Sequence, residues 1–337
     1  MVADQSAEHT DRTKWRVAVI GGRGFLGRRT VAALAAIPEV EVRSASRRPV
    51  EDDVAVDLTR PETFDTVVPF DAVVNCADAL VAAPQALCSF CRERGILFIE
   101  STADAGTIER LLRDREPTGP GAAVVGVGLF PGISNLLGAH VARAADSRAG
   151  GEPDGAGPAG IAIEIAIDPF SGAGPGTIGV MAKVARTPGL AMPEQITLQA
   201  ALGAREIQVR FVPGMRWARP LARWGGRLLP KNRWFRRLLG GATRLFMTPL
   251  RRLLFRRRSG RITIVARCGD AVVEARTRRG FDATARAIAA TAALALRSQI
   301  PAGCHALEVV ASAAELMREM DRYPGGDLTL APTLPKK

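Results

Sequence analysis

Short apolar runs recur along the first 130 positions, and stretches with helical spacing separate them. RVAVI (16–20) predicts a strand, and RRTVAALAAIP (28–38) predicts a helix that ends at Pro38. VEVRSAS (40–46), DVAVDL (53–58) and DAVVNCA (71–77) predict a second, third and fourth strand. PQALCSFCRERG (84–95) reads as a helix closed by a glycine, and ILFIEST (96–102) as a fifth strand. AAVVGVG (122–128) is a sixth strand, followed by a helix over GISNLLGAHVARAA (132–145). Strands that alternate with helices imply a parallel sheet with right-handed crossovers.

The pattern changes after residue 145. DSRAGGEPDGAGPAG (146–160) is rich in Gly, Pro and polar residues and reads as a linker or exposed loop. GIAIEIAID (160–168) begins a second half. RITIVARCG (261–269) and AVVEARTR (271–278) alternate with period two and predict an antiparallel pair, and FDATARAIAATAALALRS (281–298) predicts a long Ala-rich helix. The expected fold is α/β: an N-terminal Rossmann-type, doubly wound parallel sheet with a second, α+β domain. The expected divisions are a flexible tail over 1–13, a dinucleotide-binding domain over 14–145, a linker over 146–160 and the second domain over 161–322. Within the second domain, 213–260 is a basic insertion and 300–322 packs back on the first domain. A flexible tail is expected over 323–337.

Composition changes this picture in one place. The chain has 337 residues and a net charge of +12, which invites a nucleic-acid reading. The charge is not evenly spread. Seventeen of the 46 Arg and Lys residues lie in 207–269, where there is no Asp or Glu, so the other 29 bases face 34 acids. The bulk of the chain is mildly acidic, and the basicity belongs to one segment. Five cysteines and no signal peptide point to a reducing, cytoplasmic interior. Cys88 and Cys91 form a CxxC, but no second ligand pair accompanies them, so buried thiols are expected and no metal site. Residues 117–142 carry no charge, yet Gly126, Gly128, Pro131 and Gly132 interrupt them, which favours a buried strand, turn and helix over a membrane span.

The chemistry begins at Gly22-Arg23-Gly24-Phe25-Leu26-Gly27, a GxGxxG that follows an apolar strand and opens a helix. Glycines let a turn approach a pyrophosphate, and amides at the helix start donate to its oxygens. At the end of the second strand, where an NAD site commonly has an acid, the chain reads SASRRP; Glu51 and Asp52 come too late. Ser46, Arg47 and Arg48 suit a 2′-phosphate, so NADP is expected over NAD. Asp57 is placed to accept from the adenine amine. Asn75 and Ala77 should lie over the pyrophosphate and the nicotinamide ribose.

GGRGFLG, then VVNCAD with the following helix and LFIESTAD, then GVGLFPGISNLLGAH, together resemble the saccharopine dehydrogenase-like reductase family. PFSGAGPGTIGVMAKVAR (169–186) is similar to the Gly-Thr-rich helix opening of that family's second domain. The likeness covers residues 15–190 well and the rest loosely. This chain has Asp78-Ala79-Leu80 where the family commonly has Gly-Pro, and Phe98 with Glu100 where it has an aromatic and an aspartate. The resemblance implies an NAD(P)-dependent oxidoreductase that transfers a hydride; it does not name the substrate.

Hydride transfer to a carbonyl, imine or enoyl group needs a shielded pocket more than a nucleophile. Thr102, Asp104, Phe130, Ser134 and Asn135 stand near the ends of the fourth to sixth strands and are expected to contact substrate; Ser134 or Asn135 equally suits helix capping. His9, His140 and His305 lie in a tail, a helix and a late loop, and read as core or surface residues. Lys183, one of five lysines, is the one weak candidate for a proton donor.

The basic segment is expected to be amphipathic. Trp234, Phe235, Leu238, Leu239, Ala242, Leu245, Phe246 and Met247 form a helical stripe, off which Arg233, Arg236, Arg237 and Arg244 fall. Pro220, Pro230 and Pro249 divide it into pieces too short to span a bilayer. Such a stripe suits the surface of an anionic membrane, on the inner face, and a lipid-like substrate. It also suits packing on its own domain or a twin subunit, with the arginines meeting an acidic carrier protein. Two other functional classes compete with an oxidoreductase: a nucleotide-binding scaffold or redox sensor without catalysis, and a nucleic-acid-binding protein, which has less use for a continuous Leu/Phe stripe.

Overall fold

The computed structural model describes residues 14–79, 81–148, 159–168, 191–203, 205–213, 260–298, 300–323 and 325–332. Strands and helices are numbered in chain order over these residues. The N-terminal part runs β1 (Trp15–Ile20), α1 (Gly27–Ala35), β2 (Val40–Ser46), β3 (Val54–Ala55), a 3-10 helix (Pro61–Val67), β4 (Ala72–Asn75), α2 (Gln85–Glu93), β5 (Leu97–Glu100), α3 (Ala105–Arg113), β6 (Ala122–Val125) and α4 (Ile133–Arg148). Then follow β7 (Ile161–Ile167), α5 (Pro193–Leu202), β8 (Ile207–Pro213), β9 (Ile262–Cys268), β10 (Ala271–Thr277), α6 (Gly280–Arg297), β11 (Gly303–Ala306), α7 (Leu307–Val310), α8 (Ala313–Asp321) and β12 (Thr329–Pro332).

Seven strands form the first sheet in the order β11-β6-β5-β4-β1-β2-β3, and every neighbouring pair is parallel. Its central strands β1, β4, β5 and β6 are mainly apolar because both faces are covered, whereas β2 carries Glu41, Arg43, Ser44 and Ser46. Val17, Val19, Val74, Ile99 and Val124 point to one core, shared with α1, α4 and α6. Ala18, Ile20, Val73, Phe98 and Val125 point to the other, shared with α2 and α3. The strand order turns at β1, which has β2 on one side and β4 on the other. In such sheets ligands bind at the carboxyl ends of the strands beside that turn.

The second sheet has the order β12-β10-β9-β7-β8. β9 and β10 form the antiparallel pair that their alternation predicts, with Cys268 opposite Ala271. Their alternate residues are buried because one face packs on α4. The start of α4 is therefore enclosed on all sides, and Ile133 to Ala139 are buried without a break.

Several strands differ from expectation. β11 adds a seventh strand beside β6; GCHA is too short and too mixed to carry a strand pattern. The chain after residue 323 is not a loose tail as far as residue 332, because Thr329–Pro332 pairs antiparallel with β10. The third strand is also shorter than predicted, since Asp57 accepts hydrogen bonds from Thr59 N and Thr59 Oγ1 and turns the chain there.

Candidate functional site

The turn between β1 and α1 is built around Gly21. Its φ is +71°, open to glycine at little cost, and a Cβ there would lie 3.1 Å from Ala77 N. Gly24 N donates to Gly21 O at 2.8 Å. A Cβ on Gly27 would lie 2.1 Å from Gly21 O, so helix and strand approach more closely than any side chain permits. The start of α1 has no side-chain cap and no acidic residue in its first turn. Arg28 N and Arg29 N donate to Gly24 O and Leu26 O, and no side chain caps the helix start, an arrangement that favours an anion there.

Side chains extend from the turn in two directions. Arg23 Nε pairs with Asp53 at 2.6 Å and ties the turn to the β2–β3 loop. Phe25, 46% exposed, meets the edge of Phe281 at the start of α6, with ring centroids 4.7 Å apart. The Arg29 guanidinium stacks on Phe25 and pairs with Asp282 at 3.0 Å. At the end of β2, Ser46 Oγ accepts from Arg48 N at 3.3 Å, and Arg47 and Arg48 are exposed. Asp57 keeps a carboxyl below its usual range, chiefly through the Thr59 N–H and hydroxyl and, more weakly, through Arg47.

Beneath the turn, the ends of β4 and β5 hold a buried pair. Asn75 Nδ2 donates to Glu100 Oε2 at 2.7 Å, and Asn75 Oδ1 accepts from Ala77 N at 3.1 Å. Thr102 N donates to the other Glu100 oxygen at 2.8 Å. Burial raises the Glu100 carboxyl to about 7, against the pull of the Asn75 and backbone hydrogen bonds. Asn75 thus supports the turn from below through Ala77, and its side chain is fully enclosed.

A pocket of about 100 Å³ opens beside the turn at the carboxyl ends of the strands. Leu26, Leu129, Phe130, Pro131, Ile262 and Phe281 give it an apolar wall, and Ser101 and Thr284 also line it, with hydroxyls that donate to Asn75 O and Gly280 O. Ile262 reaches it from the second sheet, and Phe130 packs edge-on to Phe211 of β8 with centroids 5.9 Å apart. Ser101, Phe281 and Thr284 were not legible as site residues. Ser101 is hidden within a strand-end triplet, and Phe281 and Thr284 are brought here only by the docking of α6 on the first sheet.

Of the five residues expected at a substrate, Phe130 lines this pocket and Thr102 is half-buried at the end of β5. Asp104 is the N-cap of α3 and accepts from Thr107 N and Thr107 Oγ1 at 3.0 Å each. Ser134 and Asn135 are fully buried at the start of α4, bonded to α5 and α7. Lys183 and the basic stretch 214–259 lie outside the described residues. Cys88 and Cys91 are free and buried, with thiols pushed well up by burial. Among the described residues, no helix is long and apolar enough to cross a membrane.

No family model matches the chain, and no curated protein does. Solved structures match nearly its whole length. The apo saccharopine dehydrogenase (L-Glu forming) of Saccharomyces cerevisiae is 13% identical over 95% of this chain and 100% of its own, with a TM-score of 0.55. The DAP dehydrogenase of C. glutamicum in complex with DAP is 15% identical over 90% of this chain and 96% of its own, with a TM-score of 0.51. An engineered D-amino acid dehydrogenase bound to NADP+ is 13% identical over the same shares, with a TM-score of 0.50. A parallel dinucleotide-fold sheet joined to a second, mixed sheet is the architecture this chain shares with saccharopine dehydrogenase and related dehydrogenases.

Proposed function

We propose that the protein is an NADP-dependent oxidoreductase that reduces a carbonyl, imine or enoyl group. The observation that carries this is the β1–α1 turn. Gly27 has no room for a side chain, and the helix start has neither a cap nor an acid, as a pyrophosphate requires. Gly22, Arg23, Gly24, Phe25, Leu26 and Gly27 would hold the pyrophosphate. Ser46, Arg47 and Arg48 would hold the 2′-phosphate, and Ala77 would lie beneath the nicotinamide ribose. The bound cofactor supplies the hydride. The chain's own residues bind and orient it, and the apolar wall of Leu129, Phe130 and Phe281 excludes water from the reacting face.

Support for the cofactor also comes from the NADP+ bound to the structurally similar D-amino acid dehydrogenase. The absence of an acid at the end of β2 favours the phosphorylated form. A lipid-like or carrier-bound substrate accords with the apolar pocket and with the Trp/Leu/Arg pattern of residues 233–247. The experiment is NADPH oxidation by the full chain across a panel of ketones, imines and enoyl thioesters of graded chain length. Turnover on one class, lost when Gly24 is changed to Asp, supports the reading. Saturable NADPH binding without turnover on any class contradicts the enzyme and leaves a nucleotide-binding scaffold.

A further inference from the structure

Five polar side chains are sealed between α4, α5 and α7. Ser134 and Asn135 of α4, Glu194 and Thr197 of α5 and Glu308 of α7 are each at most 1% exposed. Asn135 Oδ1 accepts from Gly132 N at 3.1 Å, which fixes the orientation of the amide. Its nitrogen therefore faces Thr197 Oγ1 and Glu308 Oε1. Ser134 Oγ lies 3.0 Å from Asn135 Oδ1 and 3.2 Å from Glu194 Oε1.

A hydroxyl carries one proton and donates it once. Asn135 Oδ1 has only lone pairs to offer, so the Ser134 proton belongs on that contact. The Ser134–Glu194 contact then needs a proton from the carboxyl. The opposite assignment, Ser134 donating to an ionised Glu194, leaves two oxygen lone pairs facing each other at 3.0 Å inside the protein. We infer that Glu194 is a neutral carboxylic acid that donates to Ser134 and, through Asn135 and the Gly132 N–H, positions the Gly128–Gly132 wall of the pocket.

The wall is connected as this requires. Ile133 N and Ser134 N donate to Gly128 O and Leu129 O, closing the turn on itself. Leu129, Phe130 and Pro131 from this turn line the pocket. The charged surroundings agree. Burial is the largest influence on the Glu194 carboxyl and pushes it up to about 7, its own backbone N–H opposes this, and Glu308 adds to it. Glu308 is itself raised by burial and opposed by Thr197, Asn135 and Arg143. Charged groups on the other elements against α5 are engaged elsewhere: Arg110 with Thr107, Arg113 with Glu109, Arg210 with Gln208, Arg205 with Asp146, and His305 with Pro301 O. His140 and Arg148 of α4 are exposed. No cation among these offsets a charge on Glu194.

Only the consequence for a ligand rests on the oxidoreductase reading; the proton on Glu194 does not. The test accordingly uses the full chain without cofactor. A carboxyl raised in the folded state from its ordinary 4.5 to about 7 gives stability that is complete below the lower value and is lost as pH rises through the higher one. Between about pH 5.5 and 8.5 the thermal midpoint of the natural protein should fall by roughly 3 °C more than that of Glu194→Gln, whose amide donates to Ser134 at every pH. Glu100 remains in both proteins and cancels in the comparison, and repeating it in a Glu308→Gln background removes the coupling between Glu194 and Glu308. Amide exchange of Gly132, corrected for the intrinsic rate, should quicken above pH 7 in the natural protein and stay slow in Glu194→Gln. In Ser134→Ala, which cuts the link without touching a carboxyl, the Gly132 exchange should no longer follow pH. Equal pH dependence in the natural protein and Glu194→Gln, or pH-dependent Gly132 exchange that survives Ser134→Ala, overturns the inference.

Discussion

The β1–α1 and β6–α4 turns are both glycine-rich, and both start a helix at the carboxyl edge of the first sheet. In the first, Gly27 lets helix and strand touch, and the helix start carries no cap. In the second, Gly132 has a φ of +131° and stands where a Cβ would lie 2.1 Å from Gly128 O, but Asn135 Oδ1 takes its N–H and residues 133–139 are buried. The same local composition therefore produces a helix end open to an anion and a helix end closed by its own side chains. What separates them is tertiary. The second sheet and α5 lie over α4, whereas Arg23, Gly24 and Phe25 just before α1 are exposed and Leu26 lines the pocket. A glycine motif marks where backbone comes close; burial and capping decide whether it meets a ligand or itself.

The contrast predicts different failures for substitutions in the two turns. Gly24→Asp should weaken NADPH binding by about 1000-fold or more, because like charges placed together cost several kcal/mol. Its Cβ meets only Gly21 O, at 3.0 Å, so the thermal midpoint should change little. Gly132→Ala should do the reverse. A Cβ driven into Gly128 at a φ that side chains avoid should cost about 3 kcal/mol of stability by denaturant unfolding. The NADPH affinity of the folded fraction should be nearly unchanged. Asn135→Ala leaves the buried Gly132 N–H without its acceptor and should cost about 2 kcal/mol. It should also slow turnover while sparing cofactor affinity, and an unaltered rate would confine Asn135 to its helix. The smallest effect expected is at the edge of the first turn. Replacing Arg47 and Arg48 together by Ala should weaken NADPH by about tenfold and NADH hardly at all. Equal losses would remove the 2′-phosphate from that place.

Much of the first sheet was legible because a strand buried on both faces is apolar throughout, as RVAVI and AAVVGVG are. The order of glycines between a strand and a helix gave the turn as well. Two short strands were not legible. GCHA and TLAP have no periodicity to speak of, and their pairing with β6 and β10 comes from the rest of the fold. The strand-end rule brought Thr102, Asp104, Phe130, Ser134 and Asn135 to the carboxyl edge of the sheet, but not the direction in which each faces. Asp104 turns to its own helix, Phe130 to the pocket, and Ser134 and Asn135 to α5 and α7. Glu194 and Glu308 carried no signal, since a lone glutamate in a helix pattern reads as solvated. Only packing shows them buried.

The central claim is that the β1–α1 turn binds a phosphorylated dinucleotide, and calorimetric titration of the full chain with NADPH and then NADH tests it most directly. One site per chain is expected, saturable by NADPH and binding NADH at least about tenfold more weakly. A chain that remains folded and binds neither cofactor would contradict it.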